Sequence, residues 1–148
     1  MTQSTEDLLE LDQQVCFALA VASRNVIALY RPILEPLGLT HPQYLVMLAL
    51  WGKAPLRFGE VAELLRLDPA TLSPLIKRLE QSGLIERHPV AGDERTFALV
   101  PTEAGRALRE QALGVPPAVI EQPGMPIERR VALRDELTAV IDATDPVK

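Results

Sequence analysis

Cys16 is the only cysteine in this 148-residue chain. A thiol can be a nucleophile, a redox sensor, a metal ligand or half of a disulfide, and each role needs different company. A single cysteine excludes an intrachain disulfide and a cysteine-based structural zinc site within one chain. The two histidines, His41 and His88, lie far apart in sequence. A reactive thiolate needs a positive or hydrogen-bonding neighbour to lower its pKa. No Lys or Arg lies within a helical turn of Cys16, and Asp12 at i−4 disfavours a thiolate. Read from spacing alone, Cys16 is a small buried hydrophobe on an apolar helix. The Thr/Arg and Pro-x-x-x-Thr surroundings of a peroxidatic cysteine are missing, and Gly59 and Gly83 are too isolated for a phosphate loop. An enzyme is therefore not expected, nor is a cofactor or a metal.

The basic residues are the second group that could do chemistry. Fifteen Lys and Arg stand against twenty Asp and Glu, a net charge of −5. That balance argues against a strong nonspecific nucleic-acid binder. The charge is uneven, however: −3 over residues 1–52, zero over 53–100 and −2 over 101–148. An anion-binding surface should lie in the middle third. One Trp, two Tyr and three Phe are too few for base-stacking platforms. Met1 to Glu10 holds Glu6, Asp7 and Glu10 and no base, the wrong charge for a signal peptide, so a cytoplasmic protein is expected. No stretch approaches 18 uncharged apolar residues, so no membrane-crossing helix is expected.

These residues need elements to place them. Leu8 to about Leu34 reads as one long helix, with Leu8, Leu11, Val15, Leu19, Ala22, Val26 and Leu29 at helical spacing. Glu35-Pro36-Leu37-Gly38 breaks it. Thr40 with Gln43 forms a capping box for a helix over Pro42–Trp51, apolar nearly all round and so buried. Gly52–Pro55 is a turn. A short helix over Phe58–Leu65 faces Val61, Leu64 and Leu65 inward. Asp68 caps the next helix, Pro69 takes its first position, and Leu72, Leu75, Ile76 and Leu79 form its apolar stripe up to Gly83. Leu84–Arg87 and Thr96–Val100 then read as strands around a hairpin tip at Pro89–Asp93. Thr102 caps a helix over Glu103–Ala112. Leu113–Pro126, with four prolines and two glycines, reads as a connector. Ile127–Ile141 is a last amphipathic helix carrying Val131, Leu133, Leu137, Val140 and Ile141.

Two helices followed by two short strands is the order of a winged helix-turn-helix, mainly α with a small β-hairpin. The core is expected over 41–100, with dimerisation helices over 5–37 and 113–148. With its leucine stripe inward, the second helix of the pair presents Ala70, Thr71, Ser73, Pro74, Lys77 and Arg78 outward. Small side chains permit close approach to base edges, and the two bases suit phosphate or guanine contacts. The hairpin adds Arg87 and Arg95, which can reach a narrow minor groove. The bland alternative is that these bases form a solvated face; their placement on the two elements that a winged helix uses favours DNA. The acidic amphipathic end helices carry stripes too long for so small a core, which suggests a two-fold homodimer on a palindromic double-stranded operator.

The sequence resembles the MarR family of dimeric repressors, and within it the organic hydroperoxide resistance regulators of one-cysteine type. The residues that carry this are 11–19 (Leu-Asp-Gln-Gln-Val-Cys-Phe-Ala-Leu), Ala22-Ser23-Arg24, Tyr30-Arg31-Pro32, 37–45 around Thr40-His41-Pro42-Gln43-Tyr44, 67–80, and Asp93-Glu94-Arg95. The resemblance implies a repressor that leaves DNA when Cys16 reacts with an organic hydroperoxide. In the family the cysteine is held by tyrosines, two of them from the partner subunit. Tyr30 matches one, His41 stands where the other usually is, and Ala20 replaces a third found in some members. Geometry agrees with a partner-supplied site: Cys16 and Tyr30 are 14 residues apart on one helix, about 21 Å along its axis. An oxidised Cys16 has no second cysteine in its chain. Its remaining outcomes are a disulfide through a small thiol or the other subunit, a sulfenamide, or overoxidation.

Three other readings compete. A repressor of the same fold could be released by a noncovalent phenolic ligand, with Cys16 structural. A small thiol peroxidase would turn over peroxide repeatedly. An interaction module could use the winged helix without DNA.

Overall fold

A computed structural model describes residues 9–10, 14–121 and 124–145. Leu8, Leu11 and Asp12, and the outermost parts of the two expected dimerisation segments, lie outside the described residues. Helix α1 spans Val15–Leu34 and runs through Pro32. A 3₁₀ turn at Glu35–Leu37 closes it, and Gly38 takes the left-handed φ of 72° that ends a helix at low cost. Helix α2, His41–Lys53, starts on the expected capping box. The Gln43 N–H donates to Thr40 Oγ1 at 3.4 Å, and the Thr40 N–H donates to Gln43 Oε1 at 3.0 Å. The helix runs on through Gly52 and Lys53, which were expected in a turn. It buries Tyr44, Val46, Met47 and Leu50, but Leu48 is exposed, so its burial is one-sided rather than complete.

The helix-turn-helix follows as α3, Phe58–Leu65, and α4, Pro69–Gln81. Leu64 faces solvent and Ala62 takes the buried place expected for it, because the inward face is centred on Val61. Asp68 caps α4 by accepting the Thr71 N–H at 2.8 Å. Leu72, Ile76 and Leu79 are buried and Leu75 packs at the edge, as the stripe requires.

The hairpin is larger than expected. Strand β1 is only Leu56–Arg57; β2 spans Ile85–Val90 and β3 Asp93–Pro101, in the antiparallel order β1-β3-β2. The expected two-stranded wing is thus a three-stranded sheet, with Leu56 opposite Leu99. Pro89, Val90 and Asp93, expected in the tip, belong to the strands, and the tip shrinks to Ala91-Gly92. Pro89 is tolerated opposite Phe97 because β2 is an edge strand, beside a register shift at Val90.

Helix α5 covers Glu103–Ala112 as expected. The expected connector contains a further helix, α6, Val115–Glu121, with Val115 buried. Its prolines at 116 and 117 sit in the first turn, where a missing N–H costs no helical bond. Helix α7 spans Ile127–Thr144. The core joins Leu34, Met47, Leu50, Val61, Leu72, Ile76, Leu79 and Ile85, so α2, α3, α4 and the sheet pack as one unit.

The end helices differ. Helix α1 buries only Leu34 fully and α7 buries no residue fully. Val26, Ile27, Val131, Leu133, Val140 and Ile141 are each more than 40% exposed within the single chain. The expectation of no membrane-crossing segment is corrected in one respect. Val15–Leu37, 23 residues at mean hydropathy 1.3, is long and apolar enough by length and composition to cross one.

Candidate functional site

Helix α4 places Ala70, Thr71, Ser73, Pro74, Lys77 and Arg78 on its exposed side. Their environment has structure of its own. The Thr71 hydroxyl donates to Asp68 Oδ2 at 3.1 Å, so Thr71 is oriented by the cap. The two Thr71 hydrogen bonds hold the Asp68 carboxyl below the usual carboxylate range, backbone bond first. Lys77 and Arg78 stand two positions and one position short of the buried Leu79, on the solvent side.

Arg87 and Arg95 differ in kind. Arg87 on β2 is already engaged: its Nε donates to both Glu80 oxygens at 3.1 Å and its Nη2 to Glu80 Oε1 at 2.9 Å. This fork ties the sheet to α4, and it raises the Arg87 pKa above its ordinary value. Arg95 is exposed at the start of β3. Its backbone N–H donates to Asp93 Oδ1 at 2.9 Å, and the Thr96 hydroxyl donates to Asp93 Oδ2 at 2.6 Å. Those two bonds, Thr96 first, hold the Asp93 carboxyl below its ordinary value. Asp93 and Glu80 are therefore organising residues that the sequence reading missed. The carboxylate two residues before Arg95 was a local signal for Asp93; nothing local marked Glu80 as the partner of Arg87.

The second cluster lies at the far end of α1. The Tyr30 and His41 rings meet with centroids 4.6 Å apart, and Tyr30 meets Tyr44 at 5.8 Å. Tyr44 joins the expected pair; it stands in the Thr-His-Pro-Gln-Tyr run, but its role there is to fill the core. Burial pulls the His41 pKa below its ordinary 6.5, so the imidazole beside Tyr30 is neutral at pH 7. Burial, then the nearby Tyr30, pushes the Tyr44 hydroxyl up. A cleft of about 380 Å³ opens beside the cluster between Ile27, Arg31, Glu35, Leu39 and His41.

Cys16 stands apart in the first turn of α1 and is exposed, contrary to a buried hydrophobe. The structure thus joins Tyr30 with His41 and leaves Cys16 about 21 Å away along the same helix. Among the described residues no group of three or more His, Cys, Asp or Glu is placed to hold a metal ion.

The MarR family's sequence pattern matches residues 39–97, from just before α2 to the middle of β3. The chain is 40% identical over 114 residues to the organic hydroperoxide resistance transcriptional regulator of Bacillus subtilis, covering 77% of this chain and 78% of that one. The chain belongs to the MarR family. Two solved structures agree with this MarR fold. They are AbfR reduced and bound to DNA (29% identity, TM-score 0.75, 95% of this chain and 98% of that one) and AbfR overoxidised and bound to DNA (28%, 0.74, 95% and 99%). Like its named relatives, this MarR protein is a transcriptional regulator and not an enzyme.

Proposed function

We propose that this MarR-family regulator is a dimeric repressor of a palindromic operator and that oxidation of Cys16 by an organic hydroperoxide releases it from DNA. The observation that carries the reading is the 40% identity to a hydroperoxide resistance regulator, joined to an exposed thiol on an uncovered apolar helix. Each subunit would set α4 in a major groove through Ala70, Thr71, Ser73, Pro74, Lys77 and Arg78, and Arg95 in the adjacent minor groove. Arg87 would support the wing through Glu80. Residues 41–100 would form the DNA-binding core, and 5–37 with 113–148 the dimer arms.

Antiparallel α1 helices would bring Cys16 of one subunit to Tyr30 and His41 of the other. The Tyr30 hydroxyl and a neutral His41 N–H would donate to the sulfur and stabilise the thiolate by hydrogen bonding rather than by charge. The thiolate attacks the terminal peroxide oxygen. An S–O bond forms and the O–O bond breaks; the peroxide is reduced to its alcohol on protonation and the sulfur becomes a sulfenic acid. Condensation with a small-molecule thiol then yields a mixed disulfide and water. Added volume where Tyr30 and His41 pack would shift the α1 pair. A half-site spacing near ~34 Å tolerates little such movement.

The test is a gel shift with DNA upstream of the protein's own coding sequence. Cumene hydroperoxide should release the wild type and leave Cys16→Ser bound; release of the serine variant overturns the reading. An apolar site should also favour organic hydroperoxides over hydrogen peroxide, by about 0.8 kcal/mol per buried CH₂. Equal rates of sulfenic-acid formation in stopped flow would count against it. The cleft beside His41 and Arg31 favours one second reading, release by a noncovalent phenolic ligand. Under it, such a ligand would release Cys16→Ser and wild type alike.

A further inference from the structure

Arg66 is the corner between α3 and α4, with φ 54°. Among the described residues it is the one non-glycine in the left-handed region. A glycine is the usual occupant of such a helix end, and any other side chain strains the backbone there. An arginine in this place calls for a side-chain reason, and the structure supplies one. The guanidinium leaves the turn and forks onto the C-terminal end of α7, with Nη1 2.7 Å from Oδ2 of Asp145, the residue that follows the helix, and Nη2 3.2 Å from Asp142 Oδ1. Helix α7 adds no residue to the buried core, so apolar packing does not fix its place against the winged unit. A planar fork that engages two carboxylates at once fixes direction as well as distance, which a lysine would not.

We propose that Arg66 is a positioning residue: it ties the helix-turn-helix corner to α7 and so sets where each recognition helix stands relative to the terminal helices. The inference rests on the dimeric DNA-binding reading, because its consequence is the half-site spacing that the dimer accepts. Movement of the terminal helices would reach α4 through this fork. Half-exposed charges are screened by salt, so the tie should slacken as ionic strength rises.

Two variants separate position from folding. Arg66→Gly removes the fork and relieves the strained φ, so the fold should be kept. Asp142→Asn with Asp145→Asn breaks the fork without touching the turn. Spin labels at Gln81 and Arg134, in a Cys16→Ser chain diluted with unlabelled protein, report the distance from α4 to α7. We expect a narrow distribution in the parent protein, a broad one in both variants and in the parent at 1 M salt, and partial narrowing in Arg66→Lys. On DNA, preference for the native palindrome over one lengthened by two base pairs should fall at least threefold in both variants. An unchanged narrow distribution, or an unchanged spacing preference, overturns the proposal. If the parent protein binds no palindrome, the functional reading falls, and the distance measurement alone decides the role of Arg66.

Discussion

Gly105 is where the winged unit joins the helices that follow it, and replacing it with alanine should be costly. A Cβ built there lies 2.1 Å from the Leu84 carbonyl oxygen and 3.2 Å from Pro101 Cβ. The first of these is backbone and cannot swing aside. Helix α5 would have to retreat by about 1 Å to restore ordinary contact. Two hydrogen bonds depend on its present place: Trp51 Nε1–H to Gly105 O at 2.9 Å, and the Thr102 N–H to Leu84 O at 3.0 Å. Losing both costs about 2 kcal/mol and overpacking about 1–3 more. The gain from alanine in a helix returns about 1 kcal/mol. The net is about 3 kcal/mol, or roughly a 10 °C fall in Tm for a domain of this size. Gly59→Ala in α3 is the control, since nothing lies within 4 Å of its added Cβ, and it should stabilise by about 0.5–1 kcal/mol. Paired thermal melts followed by circular dichroism read both. A Gly105→Ala protein that melts at or above wild type refutes the close-approach reasoning.

Three further outcomes are expected. Arg95→Ala should weaken operator binding by about 1–3 kcal/mol per subunit with an unchanged melting curve; equal affinity removes the wing arginine from the interface. A double-mutant cycle on Arg87 and Glu80 in urea should give a coupling of about 0.5 kcal/mol, small because the pair is largely exposed, and a zero coupling would mean that the fork is not held in solution. Because burial depresses the His41 pKa in the folded state, the unfolded chain takes up a proton first as pH falls below about 7, so stability should drop from there until the lower folded pKa is passed. His41→Gln should flatten that slope in urea titrations between pH 7 and 5; an unaltered slope would show that His41 is solvated.

Local chemistry made much of this legible in advance. The Thr40–Gln43 box, the Asp68 cap and the Leu72-Ile76-Leu79 stripe are each written within one helical turn or stripe, and the elements follow them. Strand β1 was hidden because a two-residue strand exists only through its pairing with Leu99 and Ala98, more than forty residues on. Helix α6 was hidden because two adjacent prolines read as a connector, although both are permitted in a first helical turn. Pro89 looked like a hairpin tip for a similar reason: its compatibility with a strand depends on β2 lying at the edge. The outward residues of α4 followed from its stripe alone. The Arg87–Glu80 fork joins two elements through a tertiary approach, and no spacing rule could supply it. The Tyr30–His41 contact likewise depends on how α1 turns back into α2 at Gly38.

The uncovered end helices must be judged together. Helix α1 has the length and hydropathy to lie in a membrane, yet Arg24 stands near its middle, where lipid charges about 2.5–3.5 kcal/mol for a basic side chain. Helix α7 exposes a similar set of apolar side chains but interleaves them with Arg129, Arg130, Arg134, Asp135 and Glu136, so it cannot follow α1 into lipid. A second copy of the chain would meet both demands, because it would offer apolar faces and leave the charged flanks in water. The same pairing is what the thiol would need under the proposed sensing. Cys16 is exposed at one end of α1 and the Tyr30–His41 contact lies at the other, so antiparallel association places two such ends together twice over. One surface would then serve for assembly and for sensing, and any change at the sulfur would act directly on the contact that sets the separation of the two recognition helices.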